Sequence, residues 1–389
     1  MKLFKSLLVA PAALGLLAPM TATANELNLN DVSGYSSSEE VQNISEFNST
    51  DLAVTNSRVD GLEARFNNYE AGSFSSTTSA SFSVDMAIGS VDGNTTSEAV
   101  GTAYGYQIDL TTSFTGEDSL DVAIKAGSGA GALSELDINA DVGDGLAVDG
   151  ISYTFPLGDK TTVLVGDKVD ASSLYNKACV YGGFTNTLDD CGTTFTSLEK
   201  PETGGTALSA SYDIGNGFTG AIGYAGQGTT NGLVNKESTD YYGAQIAYVA
   251  DNYGVSVSYA NLEDIVTTSP TTGATAWGLN AYYTFDDSSL PSFSAGYEMG
   301  DTESADVKDT SQWFVGLQWD EVGPGSLGIA AGSKGAIVDG GTENNAYEAF
   351  YSYPVNDGMT ITPAVFLLEN NGIGETDETG VVVKTSFSF

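Results

Sequence analysis

Residues 380–389 read Gly-Val-Val-Val-Lys-Thr-Ser-Phe-Ser-Phe, GVVVKTSFSF. Apolar and polar residues alternate up to the last position, and the chain stops on phenylalanine. Chain ends are ordinarily polar and frayed. A period of two is that of a half-buried strand, so Phe387 and Phe389 call for a greasy surface that reaches the C-terminus.

The same period runs backward through the chain. Phe74, Thr78, Ala80, Phe82, Val84, Met86 and Ile88 share one parity, and their neighbours are Ser, Thr and Asp85. Tyr104, Tyr106, Ile108, Leu110 and Phe114 follow, opposed by Gly, Gln107 and Asp109. After these two strands, the pattern predicts others near 119–126, 151–157, 161–167, 206–213, 217–226, 239–250, 253–262, 275–286, 290–300, 310–320, 325–333, 345–353, 358–368 and 379–389. The connections fall into two alternating sets. One is tight, as at Gly158-Asp159-Lys160 and Asp251-Asn252. The other is long, as at 127–150 and 168–205. An up-and-down antiparallel meander of about sixteen strands, with turns at one end and loops at the other, produces this alternation.

The two faces decide what surrounds the meander. With strand ends trimmed, the apolar parity (Trp313, Val315, Leu317, Trp319; Tyr347, Ala349, Tyr351, Tyr353) carries no Asp, Glu, Lys or Arg. The opposite parity carries Asp85, Gln107, Asp109, Asp121, Lys125, Gln245, Asn280, Gln312 and Lys384. A closed sheet of this width cannot fill its interior with modest apolar side chains, because barrels of about eight strands are already full. Turned outward, the uncharged face meets lipid, where a mid-bilayer Lys or Arg costs roughly 2–4 kcal/mol. Closure also removes the sheet edges that lipid does not tolerate. The expected fold is all-β, a transmembrane barrel with Asp85, Gln107, Asp109, Asp121, Lys125 and Lys384 as pore-lining candidates. Lys384 could instead be an interfacial cation. Phe387 and Phe389 would sit at the turn end as an assembly signal, the last strand pairing with the first.

The N-terminal segment reads differently. Lys2 and Lys5, an apolar stretch from Leu7 to Leu17, and Ala22-Thr23-Ala24 form a secretory signal peptide, residues 1–24. Residues 25–50 are polar and Ser-rich, a flexible lead-in. Over 51–72, Leu52, Val59 and Phe66 and the complementary Leu62 and Tyr69 form a short heptad seam. So short a helix cannot hold alone in water. It either bundles with copies of itself between subunits or packs on its own domain.

Composition removes several functions. With 13 basic against 51 acidic residues the net charge is −38, which repels nucleic acid. Histidine is absent, so Ser-His, Cys-His and His-metal sites are excluded. Asp137-Ile138-Asn139-Ala140-Asp141 has the alternate spacing of a calcium loop, but Val142 and Val148 stand where Gly and Glu are required. No cofactor is expected. Cys179 and Cys191, in an exported chain, read as a disulfide.

Signal peptide, heptad, meander, terminal Phe and the stretch Arg58-Val59-Asp60-Gly61-Leu62-Glu63-Ala64-Arg65 leading to Ser73-Phe74-Ser75-Ser76-Thr77-Thr78 resemble the cyanobacterial outer-membrane porins, the OprB-like or iron-uptake porins. The resemblance implies passive passage of small hydrophilic solutes (ions, carbohydrates or iron species) through a homotrimer in outer-membrane lipid. Members carry an S-layer-homology domain before the helix. Residues 25–50 are too short for one, so peptidoglycan contact is not expected here. By analogy with general porins, the loop 168–205 folds inward as a constriction or covers the mouth as a lid, with Asp170, Lys177, Asp189 and Asp190 as its charged candidates. More Asp than Lys on the wall leans toward cations. Two alternatives remain: a secreted β-rich surface or adhesin protein without a pore, and an outer-membrane hydrolase, which the missing histidine disfavours.

Overall fold

The computed structural model describes residues 78–389, apart from residues 95, 130, 139–142, 195–204, 227–231, 235–239, 264–272, 303–308 and 372–375. The signal peptide, the polar lead-in and the heptad seam Leu52, Val59, Leu62, Phe66 and Tyr69 lie outside the described residues.

The strands are β1 (Thr78–Asp92), β2 (Gly101–Thr112), β3 (Ser119–Gly127), β4 (Ala147–Pro156), β5 (Thr161–Asp167), β6 (Thr206–Gly215), β7 (Phe218–Gly226) and β8 (Asp240–Val249). They continue as β9 (Tyr253–Leu262), β10 (Ala274–Tyr283), β11 (Ser292–Thr302), β12 (Asp309–Val322), β13 (Gly325–Ser333), β14 (Ile337–Val338), β15 (Asn345–Asn356), β16 (Met359–Leu368) and β17 (Glu378–Ser388). Each wall strand pairs antiparallel with the next, and β17 returns to β1. The barrel is therefore closed by sixteen strands, with β14 a two-residue ribbon against the top of β12.

Closure explains the C-terminal phenylalanine. Phe82 and Phe389 exchange backbone hydrogen bonds of 2.9 and 3.0 Å. Their rings stack 5.7 Å apart on the outer surface. The register from Ser83↔Ser388 to Asp92↔Thr379 is unbroken, so no edge is left at the seam.

The turn end is set by local chemistry. Asn216 and Gly217, both at positive φ, make the two-residue hairpin between β6 and β7 that suits the strand twist. Between β2 and β3 the Asp118 carboxylate gathers the amides of Phe114 and Thr115 and the hydroxyls of Ser113, Thr115 and Tyr153. The predicted strands match the observed ones with small shifts. β4 begins at Ala147 rather than near residue 151. A register shift opposite Ala123 and Ile124 absorbs the difference.

The apolar parity faces out. Met86, Ile88, Ile222, Trp277, Leu279, Met299 and Val365 are each about half exposed on the bare barrel, which removes the compact soluble core as a reading of this face. Aromatic pairs ring the turn end: Phe218–Tyr248 at 4.7 Å, Tyr153–Phe155 at 5.4 Å and Tyr283–Phe285 at 4.9 Å. A second set, Tyr224–Tyr242 and Tyr259–Trp277, lies nearer the loops. These are the two belts of a membrane barrel. At the loop end Asp167, Asp301 and Asp309 do fall on the outward parity. There the strands outrun the apolar band, so a carboxylate no longer meets hydrocarbon.

Candidate functional site

The interior holds the site. The described part of the loop after β5, residues 168–194, runs along the inner wall. Its path is marked by contacts with successive strands. The Asn176 amide donates to Gln245 of β8 at 2.7 Å. The Val180 amide donates to Ser294 of β11 at 3.1 Å, and the Gly182 amide to Gln318 of β12 at 2.9 Å. Returning, Thr193 accepts from Gln312 at 3.1 Å.

The loop tip ends on β15. There Glu348, 3 % exposed, accepts the Tyr181 hydroxyl at 2.7 Å, the Phe184 amide at 3.0 Å, and the Thr185 amide and hydroxyl at 2.9 and 2.6 Å. Burial, with the neighbouring Glu348 charge, pushes the Tyr181 phenol up, so it remains the donor. Buried polar groups need such partners. Every one of these wall residues lies on the inward parity.

An apolar cluster fills the space beneath the loop. Tyr181, Phe184, Leu188 and Cys191 pack with Phe314, Phe350, Phe366, Leu368 and Val382 of the wall. Leu133, Leu136 and Ile138 of the β3–β4 loop join them, and a backbone bridge ties Leu136 to Thr185. The Cys179–Cys191 disulfide closes the loop on itself, with Cα atoms 6.2 Å apart. Glycine makes the room. At Gly316 a Cβ would stand 2.8 Å from the Tyr181 ring, and at Gly223 it would run into the Ala171 backbone carbonyl.

The pore-lining candidates lie on β1, β2, β3 and β17 and are half-buried. On β1–β3, Gln107 bonds Asp109 at 2.7 Å, Thr111 and Ser119 bond Asp121 at 2.8 and 2.7 Å, and Ser386 bonds Asp85. Lys125 pairs with Asp149 of β4 at 2.8 Å. Lys384 lies on the inward parity, 5.4 Å above the Phe184 ring of the loop. Of the loop charges, Lys177 pairs with Asp190. Burial first, then the Asp190 charge, pushes the neighbouring Asp189 carboxyl up. Asp170 holds its own turn, its carbonyl accepting from Ser173.

Sequence reasoning missed the seat. Glu348 and Glu298 lie on the inward parity, yet both are buried under the loop or beside it rather than lining water. The signal that could have found the seat is the set of inward glycines, Gly223, Gly296, Gly316 and Gly332. Residues of that parity need no bulk removed to face water, but they do to face a packed loop.

The sequence model of the Gram-negative porin family matches residues 71–372. An uncharacterized protein of the cyanobacterium Nostoc sp. is 24 % identical over 95 % of this chain and 74 % of its own. Among solved structures, Pseudomonas putida OprB superimposes with a TM-score of 0.58 at 12 % identity, over 80 % of this chain and 94 % of that one. An anion-selective porin from Comamonas acidovorans gives 0.57 at 13 % identity, over 80 % and 99 %. With the family matched over most of its length and the barrel to go with it, the chain belongs to the Gram-negative porin family, an outer-membrane channel for small solutes.

Proposed function

We propose that this channel passes small hydrophilic solutes with a preference for cations, that it performs no catalysis, and that it works as a homotrimer. One observation carries the charge preference. Among the described residues of β1–β3, Asp85, Asp109 and Asp121 meet hydroxyls and an amide but no cation. Lys125 is matched by Asp149, Lys177 by Asp190, and Lys384 sits on an aromatic ring. Charge of one sign in a narrow, low-dielectric passage focuses the field and enriches counter-ions. Inorganic cations fit that wall better than carbohydrates. Phe314, Phe350 and Phe366 of the inner wall lie under the loop, covered against stacking on a sugar ring. Iron species remain test solutes. Passive transport needs no catalytic group, and the chain has no histidine to supply one.

The outer face supports the trimer. The aromatic belt near the loops runs through Tyr224, Tyr242, Tyr259, Trp277, Tyr297, Trp313 and Tyr347 on β7–β15. On β16 to β3 and on β6 the outward positions of the loop half carry Val365, Val381, Ile88, Ile124 and Leu208, with Tyr104 and Tyr106 of β2 as exceptions. A face without the headgroup belt suits another subunit better than lipid. The heptad residues Leu52, Val59, Leu62, Phe66 and Tyr69 would add a helical bundle to that contact, and Phe387 and Phe389 would serve as the assembly signal.

Purified protein in a planar bilayer under a KCl gradient tests the reading. Stepwise conductance with a reversal potential shifted toward that of potassium is expected. A shift toward chloride overturns the preference, and the mass of the detergent-solubilised complex decides the trimer.

A further inference from the structure

We infer that Glu348 is the positioning residue of the channel's constriction: one buried carboxylate on β15 holds the tip of the inward loop and so sets the width through which solutes pass. The loop enters from β5 and returns to β6, yet its tip is fixed on a strand far along the barrel. Most of the contacts along the way are single hydrogen bonds from one amide or carbonyl to one wall side chain, as at Gln245, Ser294 and Gln318. Among the described residues, it is at Glu348 alone that four donors from three loop residues converge on a single group. Those residues, Tyr181, Phe184 and Thr185, lie inside the segment closed by the Cys179–Cys191 disulfide. Fixing them therefore fixes the closed segment.

The donors divide between the two oxygens. Oε1 takes the Tyr181 hydroxyl and the Phe184 amide; Oε2 takes both donors of Thr185. Only a carboxylate offers acceptor pairs in both directions. An amide in its place turns its two hydrogens toward the Thr185 amide or, flipped, toward the Phe184 amide, and leaves that backbone N–H without its acceptor. Hydrogen bonds to a charged group are the strong ones, and an unmade one in a buried place is costly. The tip also carries Phe184, over which Lys384 stands, and Thr185, bridged to Leu136 of the β3–β4 loop. Releasing Glu348 thus frees the edge of the passage beside Lys384 and leaves the wall itself intact.

The test is single-channel recording on the full-length protein, comparing wild type with Glu348→Gln, Glu348→Asp, Tyr181→Phe and Thr185→Val. Each variant is first shown to be folded by heat-modifiable gel mobility. Glu348→Gln is expected to raise the mean conductance, and to raise the time spent in noisy sub-states by roughly tenfold or more, the factor that corresponds to losing one charge-assisted hydrogen bond. The cation-to-anion permeability ratio should fall as the passage widens. Glu348→Asp keeps the charge and should restore part of the quiet state. Tyr181→Phe and Thr185→Val leave the carboxylate in place, so a rise in noise with them separates loop release from loss of a pore charge. They also keep the test open if Glu348→Gln does not fold. A residue that served stability alone would lower the thermal midpoint and leave conductance, noise and permeability ratio as in wild type. That result in the folded variants overturns the proposal while leaving the channel itself standing, since wild type still gives steps.

Discussion

Two arcs of one inner wall, built on the same alternating pattern, do opposite things. From β7 to β15 the inward residues are mostly glycines, alanines, buried hydroxyls and amides, with the phenylalanines that meet the loop and the buried carboxylates Glu298 and Glu348. From β1 to β3 they include Asp85, Gln107, Asp109, Asp121 and Lys125, half-buried and bonded to neighbouring hydroxyls, an amide and Asp149, with Ala87 and Ala103 buried toward the loop end. The first arc is a protein core turned inside out; the second is the surface of a channel. Period two alone tells inside from outside. Side-chain volume on the inner parity tells which part of the inside is covered. A barrel of this width has room for both because its strands exceed what side chains alone can fill.

That contrast can be broken, and the expected effects on stability rank as follows. Gly316→Val puts a branched side chain into the Tyr181 ring on the covered arc. Overpacking of this kind costs about 1–3 kcal/mol, and the loop should lift. Thermal unfolding of the heat-modifiable form and bilayer conductance report the two consequences: a lower midpoint and a larger, noisier current.

Asp118, at the turn end, belongs to neither arc. Hydrogen bonds led by the Thr115 hydroxyl hold its carboxyl well below the usual carboxylate range. A depressed folded pKa means that its stabilisation is fully present above roughly pH 4 and drains away as pH falls through the folded value. Asp118→Asn should therefore destabilise the barrel at neutral pH and flatten the loss of stability on acidification. Unfolding midpoints measured from neutral to strongly acidic pH would show parallel curves if the carboxylate plays no such part.

Phe389→Ala keeps the backbone bonds of the seam and removes the ring that stacks on Phe82. The loss is about 0.5–1.5 kcal/mol, seen as a small drop in the thermal midpoint and in the yield of folded protein. Smallest in stability is the triple change Asp85→Asn, Asp109→Asn and Asp121→Asn on the open arc. Surface changes of this type stay within about 0.5 kcal/mol. Yet the reversal potential in a KCl gradient should move toward zero. Substitutions on the covered arc act on stability and width, and those on the open arc act on selectivity. A triple Asn variant with unchanged reversal potential would erase the distinction.

Much of this was legible in the sequence. The alternation in GVVVKTSFSF and in each earlier strand gave the wall, its register and its outward face, because a one-residue slip would place charge in lipid. The alternation of tight turns and long connections gave the up-and-down order. Cys179 and Cys191 gave the disulfide. The loop's destination was not legible, since its contacts join residues far apart in the chain, such as Tyr181 and Glu348. Glu348 looks in sequence like any inward carboxylate. Only the covered glycines on strands far from the loop distinguish a seat from a pore wall. Lys384 was ambiguous for the same reason, its partner Phe184 being a tertiary neighbour.

The division of the wall has a direct measurement. All native cysteine is in the disulfide, so an introduced thiol can be followed alone. Asp109→Cys lies on the open arc. Ser256→Cys lies on β9 beneath the Lys177 carbonyl, at a position 1 % exposed. A charged, water-soluble thiol reagent added during bilayer recording should step the current down at Asp109→Cys and leave Ser256→Cys unchanged. Equal block at both positions, or reaction at Ser256→Cys alone, would contradict a loop lying along that side of the barrel.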